Sequence, residues 1–315
     1  MPVINRATRT WPNVGQWLFV ERQGSQPVRP GCYRATEQEM DGNADRQVAP
    51  ATNKAEMYDS VDRYIVEIYD RTETQRDDVA LIKSLVPEKP ARILEPFCGH
   101  GRILIPLAQA GYEITGLDLS DQLLQALDDR LRQLPAEVRA RASFRKCDVI
   151  ADDWPTGFDV VILGANCFYE LATPQEQEHC IEAAAAALLP KGHLYLDNNH
   201  MEGRLDPAWC EPGVQEGVFP TGVCADGTRV EGTCETIWHD AARRLARFRR
   251  TVMIRAPDGS VRKRQWTQQK HPPSRGEMSG WLHKHGFVVE QLWGDRHRSP
   301  YTDESGRAVF WARRQ

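Results

Sequence analysis

The chain has 315 residues, 27% of them charged and 41% hydrophobic, with a formal net charge of −4. This is ordinary globular usage and excludes wholesale disorder, a fibrous repeat and a strongly basic nucleic-acid binder. No apolar run approaches the roughly 20 residues that span a bilayer, and the Arg6, Arg9, Glu21, Arg22 start is no secretory signal, so a cytoplasmic protein without membrane contact is expected.

Residues 1–55 are rich in Pro, Gly, Gln and Arg and read as an irregular arm with a short strand at 16–21. Over 54–86, the spacing of Tyr58, Val61, Ile65, Ile68 and Tyr69, then Val79, Ile82 and Leu85, predicts a helical stretch closed by Pro87 and Pro90. A regular alternation follows. Strands are predicted at 92–95, 113–118, 142–148, 158–164 and 193–198, with helices over 102–110, from the Ser120 cap to 134, and over 174–189. Short loops between alternating strands and helices make a doubly wound parallel sheet. Residues 200–275 lose that rhythm, and 231–239, 244–254 and 260–269 read as antiparallel strands of an insertion. A helix from Ser274 or Gly276 to His285 and strands at 287–293 and 307–313 then complete the sheet. The expected fold is α/β and Rossmann-like, with a mainly parallel seven-stranded sheet, an antiparallel edge strand and a β-rich lid insertion. It divides into an arm (1–55), a core with N-terminal cap helices (56–199), the lid (200–275) and the end of the core sheet (276–315).

The most informative stretch is Ile93-Leu94-Glu95-Pro96-Phe97-Cys98-Gly99-His100-Gly101-Arg102. A strand ends in an acid, turns on two glycines and opens a helix. Glycine lets backbone approach a ligand closely, and the helix start offers unpaired N–H groups. Asp118 closes the next strand, where an acid accepts the hydroxyls of an adenosine ribose; a tight turn with a capping Asp is the bland alternative. Leu104 replaces the third glycine of the dinucleotide fingerprint, which disfavours NAD, and no Gly-Lys-Ser/Thr follows to make a Walker loop. The eight cysteines contain no Cys-x-x-Cys pair and are expected as small buried hydrophobes, with no metal site.

The segment resembles motif I of the class I S-adenosylmethionine-dependent methyltransferases of small-molecule type, in its Glu-Pro-x-Cys-Gly-x-Gly-Arg form. The likeness continues at Gly116-Leu117-Asp118-Leu119-Ser120, at Cys147-Asp148-Val149, from Phe158-Asp159 through Asn166, and at Leu189-Pro190-Lys191-Gly192. The resemblance implies S-adenosylmethionine as cofactor and S-adenosylhomocysteine as its product. It implies Glu95 near the methionine ammonium, and Gly99 and Gly101 backbone-first against the cofactor, with Phe97 and Arg102 from the same loop. Asp118 should hold the ribose and Leu119 should lie against adenine. Asp148 should accept from the adenine amino group while the Val149 N–H donates to the ring. Asn166 and Cys167 should face the methionine half. Tyr58 and Tyr69, with Tyr64 between them, resemble the aromatic N-terminal helix that closes over the cofactor, packing against the sheet being the alternative. Two departures stand out: Phe97 where many relatives have Gly, and His100 where Ser or Thr is commoner.

Methyltransferases that act on exocyclic amines of DNA carry Asn/Asp-Pro-Pro-Tyr after strand four, whereas this chain has Gly164-Ala165-Asn166-Cys167-Phe168-Tyr169-Glu170, so no nucleic-acid substrate is expected. The expected reaction is in-line methyl transfer to a small polar molecule, on nitrogen by likeness to glycine-type N-methyltransferases. O- or C-methylation of a specialised metabolite, or a catalytically silent cofactor-binding module, are the alternatives. Glu170 and His200, following strands four and five, are the candidate catalytic groups, able to orient a cationic amine or accept its proton. Glu170 could equally serve the helix start at Thr173-Pro174. From Arg229 to Lys270, 11 Lys and Arg stand against 4 Asp and Glu, a pattern read as a solvated strand face. The oligomeric state stays open, a homodimer included.

Overall fold

The computed structural model describes residues 63–86, 91–199 and 207–315. The expected arm, Tyr58 and His200 lie outside the described residues. Seven strands form one sheet: β1 (Arg92–Pro96), β2 (Glu113–Asp118), β3 (Ala142–Lys146), β4 (Phe158–Leu163), β5 (Leu188–Asn199), β10 (Phe287–Trp293) and β11 (Arg307–Arg314). Their spatial order is β10-β11-β5-β4-β1-β2-β3. β1 to β5 pair in parallel, and β11 runs antiparallel to both β5 and β10. The antiparallel strand is thus the last one, one place in from the edge, because the chain crosses over to β10 first and returns between β10 and β5.

The sheet is doubly wound for a visible reason: both faces of its centre are apolar. Val160, Val161, Ile162 and Leu163 of β4 are all fully buried. One face packs α2 (Asp77–Leu85), α3 (Leu104–Gln109) and α4 (Asp121–Arg132) through Ile82, Leu107 and Leu127. The other packs α6 (Pro174–Ala187) and α8 (Arg275–Lys284) through Ile181, Ala184 and Leu282. Local signals set the helix starts. Ser120 Oγ accepts from Leu123 N–H, Thr173 Oγ1 from Glu176 N–H, and Ser274 with Glu277 completes a capping box.

Several boundaries differ from the periodicity. The single helical stretch expected over 54–86 contains two helices, α1 (Arg63–Thr72) and α2, separated at 73–76. They serve different cores: Tyr64 and Ile68 of α1 pack against a second sheet, whereas Val79 and Ile82 of α2 pack beneath the first. A short helix α5 (Ala136–Arg139) starts at Pro135, where the helix was expected only to stop. The fifth strand starts at Leu188 rather than at 193, pairing with Phe158 before Lys191 breaks the run at φ +67°.

The second sheet is four-stranded and antiparallel, in order β6-β7-β8-β9: β6 (Gly213–Val223), β7 (Arg229–Asp240), β8 (Leu245–Arg255) and β9 (Val261–Lys270). β6 and the preceding turn α7 (Pro207–Cys210) escape sequence reading. Gly213, Gly217, Pro220 and Gly222 depress strand propensity, and β6 is an edge strand whose register shifts twice. The inner face of this second sheet buries Trp266, Val252 and Ile254 over α1, and Phe248 and Cys234 over Trp209.

Candidate active site

The strand order reverses between β1 and β4, and the loops leaving the carboxyl ends of β1 to β5 meet there. In an open parallel sheet this is where a ligand crevice forms. A small cleft, open to solvent, is walled by Phe97, Asp118, Leu119, Asp148, Val149 and Glu170.

The loop after β1 is shaped by close approach. Gly101 has φ +87°, and a Cβ there would lie 2.5 Å from Leu127 Cδ1. Gly116 of β2 runs under the loop, where a Cβ would come within 2.5 Å of Cys98 Sγ. Phe97, the departure from the family pattern, also has positive φ, at +61°, so the turn is made without glycine there.

Asp118 organises this loop. Its Oδ2 accepts from Gly99 N–H at 2.8 Å and its Oδ1 from Ser120 N–H at 2.9 Å. Burial pushes its carboxyl up to about 6, against the lowering effect of those N–H donors, with the Glu170 charge adding to the rise. Each oxygen keeps acceptor capacity toward a hydroxyl in the cleft. Glu95 lies near the end of the neighbouring strand, 4% exposed, and its Oε2 accepts no hydrogen bond among the described residues. Burial raises this carboxyl well above the usual range, with Arg102 opposing and Asp78 and Asp118 reinforcing the rise. A buried, unsatisfied carboxylate oxygen fits an ammonium, and a carboxylate at the second strand end fits a vicinal diol. These residues fit S-adenosylmethionine.

Behind Glu95 stands an ionic network. Arg102 is bound bidentately by Asp78, with Nη1 to Oδ1 at 3.0 Å. Arg296 donates to Asp197 Oδ2 at 2.8 Å and Asp77 Oδ1 at 3.0 Å and lies 3.6 Å from Asp78 Oδ2, while Arg307 pairs with the other oxygen of Asp197. Asp78 and Asp197 are 0% exposed, and their arginines hold both carboxyls below the usual range against the cost of burial. Arg102, expected against the cofactor, is therefore committed to Asp78 and acts on Glu95 through its field.

The remaining expected residues separate by position. Asp148 Oδ1 caps Ile150 N–H at 3.0 Å beside the cleft, and Val149 forms buried wall with its carbonyl held by Trp154 Nε1. Leu119 is half-buried at the cleft. Asn166, with φ +61°, accepts Asn199 N–H on Oδ1 at 2.8 Å and so ties the β4 loop to the end of β5; Cys167 beside it is buried and its thiol is pushed up by burial. Tyr69 packs edge-on against His100 at 4.2 Å and Phe219 at 5.7 Å, linking α1 to the glycine loop and the second sheet. His100 Nε2 lies 3.1 Å from Asp70 on α1, and burial lowers its imidazole pKa, with Asp70 opposing. Glu170 reaches across to β9, accepting from Gln268 Nε2 at 2.8 Å with Lys270 Nζ at 3.5 Å. Its neighbour Glu176, not Glu170, takes the helix-start role by accepting Ala172 N–H at 2.6 Å.

Sequence reading missed Gln268 and Lys270, and it assigned Arg250 to a solvated face. Arg250 and Lys270 are each 1% exposed on the inner face, whereas Arg247, Arg249 and Arg255 lie outside, Arg249 paired with Glu235. The strand alternation of β8 and β9 carried that information, but only with the packing partner of each face known.

Residues 94–194 match the family of methyltransferase domains. Among curated relatives, the ubiquinone biosynthesis O-methyltransferase of Ralstonia nicotianae is 28% identical over 123 residues, covering 39% of this chain and 49% of that protein. The glycine N-methyltransferase of Rattus norvegicus is 29% identical over 136 residues, covering 39% and 45%. The chain thus spans about half the length of the curated relatives it matches. Among solved structures, an S-adenosylmethionine-dependent methyltransferase from Clostridium acetobutylicum superposes with TM-score 0.62 at 12% identity, covering 80% of this chain and 96% of that one. CalS10, an amino pentose methyltransferase from Micromonospora echinaspora, superposes with TM-score 0.53 at 20% identity, covering 83% and 95%. These likenesses establish the fold.

Proposed function

We propose that this chain, a class I S-adenosylmethionine-dependent methyltransferase by its domain and its fold, transfers a methyl group to the nitrogen of a small polar molecule. The observation that carries the reading is the pair of buried acids at adjacent strand ends, Glu95 with an oxygen unpartnered among the described residues and Asp118 in the wall of the cleft. S-adenosylmethionine supplies a methyl already activated on a sulfonium, so the protein needs no nucleophile of its own.

The residues bind, align and exclude water. Asp118 and the Gly99 backbone it holds fix the ribose, Leu119, Val149 and Phe97 enclose the base, and Glu95 takes the ammonium. Alignment of this kind is worth roughly 7–11 kcal/mol at its upper end. The second sheet serves as the lid: Gln269 Nε2 donates to Ala172 O, and Gln177 Nε2 to His271 O, each at 2.8 Å, seating the end of β9 over the β4 loop.

Glu170 is the group placed to hold the acceptor amine. It stands in the cleft wall with Asp118, and its oxygens are oriented from the lid by Gln268 and Lys270. It can accept a hydrogen bond from the amine and take its proton as the amine is methylated. His200, next after the end of β5, is the second candidate for that proton.

The test is methyl transfer from labelled S-adenosylmethionine to a panel of amines, phenols and carboxylic acids, followed by single-turnover pH profiles of wild type, Glu170→Gln and His200→Asn. Transfer to amines, with a rate-limiting ionisation lost in Glu170→Gln, is expected. Transfer to oxygen or carbon only, or unchanged profiles in both variants, would overturn the nitrogen and base assignments.

A further inference from the structure

Helix α1 is bonded on two sides to two different parts of the molecule. Successive helical residues stand about 100° apart, so Tyr64 and Ile68 point one way and Tyr69 and Asp70 the other. On the first side, Tyr64 and Ile68 pack with Val230, Val252 and Ile254 of the second sheet. Polar contacts tie α1 to the end of β6 and the turn after it. Glu67 Oε1 accepts Ala225 N–H at 2.6 Å, Arg71 donates to Val223 O, and Arg63 lies 3.4 Å from Asp226.

The other side holds the turn after β1. His100, between Gly99 and Gly101, is 3% exposed; its Nε2 lies 3.1 Å from Asp70 Oδ1, and its ring meets Tyr69 edge-on at 4.2 Å. Asp70 Oδ2 binds Arg130 of α4, whose Nη1 donates in turn to His100 O at 3.1 Å. His100 is therefore gripped at its ring and, through Arg130, at its carbonyl, with Asp70 common to both. Tyr69 also meets Phe219 of β6 at 5.7 Å, so one side chain touches both the turn and the second sheet. The turn has little slack of its own, since Gly99 N–H is held by Asp118 and Gly101 lies hard against Leu127. A helix that only filled a gap would need Tyr64 and Ile68 alone. Asp70 instead commits its two oxygens to two groups that fix the turn.

We propose that α1 is a strut coupling cofactor binding to the seating of the second sheet, with Asp70, His100 and Tyr69 as positioning residues for the cofactor. A cofactor that orders the Gly99–Gly101 turn then also fixes β6, and cutting α1 loose from β6 weakens cofactor binding, because coupling between two sites is reciprocal. This rests on the cofactor lying against that turn.

Hydrogen exchange of the full chain, with and without S-adenosylhomocysteine, is the first test. Binding should slow exchange both in the turn at 97–102 and in β6, and in Asp70→Ala the gain in β6 should be lost while the turn keeps its own. Slowing in the turn alone in the wild type would overturn the strut. Slowing in neither, with the ligand bound, would bring down the placement of the cofactor and the strut with it. The second test is a double-mutant cycle on calorimetric affinity for S-adenosylhomocysteine. Glu67→Ala cuts the β6 end and Asp70→Ala the other, and each should weaken binding roughly 2- to 30-fold. Together they should lose no more than the larger single loss, because a strut cut at one end transmits nothing from the other. Additive losses, as from two independent packing defects, or wild-type affinity in Glu67→Ala, would count against the coupling decisively. Should Asp70→Ala fail to fold, exchange in the wild type and the affinity of Glu67→Ala decide.

Discussion

Asp118→Asn separates the two tasks of this carboxylate, because the structure gives opposite signs to them. Burial holds the ionised carboxyl at a disadvantage, with its pKa pushed up to about 6 from 3.8. At pH 7 that amounts to roughly 3 kcal/mol against the folded state. The sign is that of a raised acid: the stabilisation is complete below its unfolded value and is lost as pH rises through about 6. A neutral amide of the same shape escapes this cost. It must, however, turn its NH₂ toward either Gly99 N–H or Ser120 N–H, both of which now donate to the carboxylate. Losing one charge-assisted bond costs about 1.5–3 kcal/mol. The two effects offset, so the variant should unfold within a few degrees of wild type at pH 7. Cofactor binding has no such compensation. The ribose loses a charged acceptor, and affinity for S-adenosylhomocysteine should fall roughly 10- to 150-fold, the same 1.5–3 kcal/mol. Isothermal titration and thermal melts on the same preparation check both halves. A folded Asn variant with wild-type affinity would refute the placement of the ribose at Asp118.

Four further outcomes are expected. Burial raises the Glu95 carboxyl above the usual range, and a ligand ammonium beside it should bring it back down, so binding should release protons to the buffer. Calorimetry near neutral pH in buffers of different ionisation enthalpy should detect this uptake by buffer in wild type and a smaller one in Glu95→Gln; equal values refute it. Asp78→Ala strips the buried Arg102 and Arg296 of a shared partner and should destabilise by about 3–5 kcal/mol, read by urea unfolding. In wild type the depressed Asp78 and Asp197 carboxyls contribute stability that is present above their unfolded values and lost as pH falls through the lower folded ones, so acid unfolding should be steep below about pH 4. Gly101→Ala forces a Cβ to within 2.5 Å of Leu127 at φ +87° and should cost about 1–3 kcal/mol in a thermal melt, an unchanged melting temperature counting against the tight loop.

What the sequence determined by itself was everything local in origin. The β1–loop–α3 unit, the acid ending β2, the Ser120, Thr173 and Ser274 caps and the apolar run of β4 are each specified within a few residues, by turn chemistry, capping and burial on both faces. The order of those units then dictates a doubly wound sheet. Tertiary structure decided what depends on a partner distant in the chain. Glycines and Pro220 hid β6, which is a strand because β7 pairs with it. The break between α1 and α2 exists because each must cover a different core. Arg102 looked like a cofactor residue until Asp78 claimed it, and Arg250 looked solvent-facing until the inner face of the second sheet was packed. A side chain's charge and spacing are written in the sequence; whether that charge meets water, a ligand or a buried counter-ion is fixed only when separate elements pack.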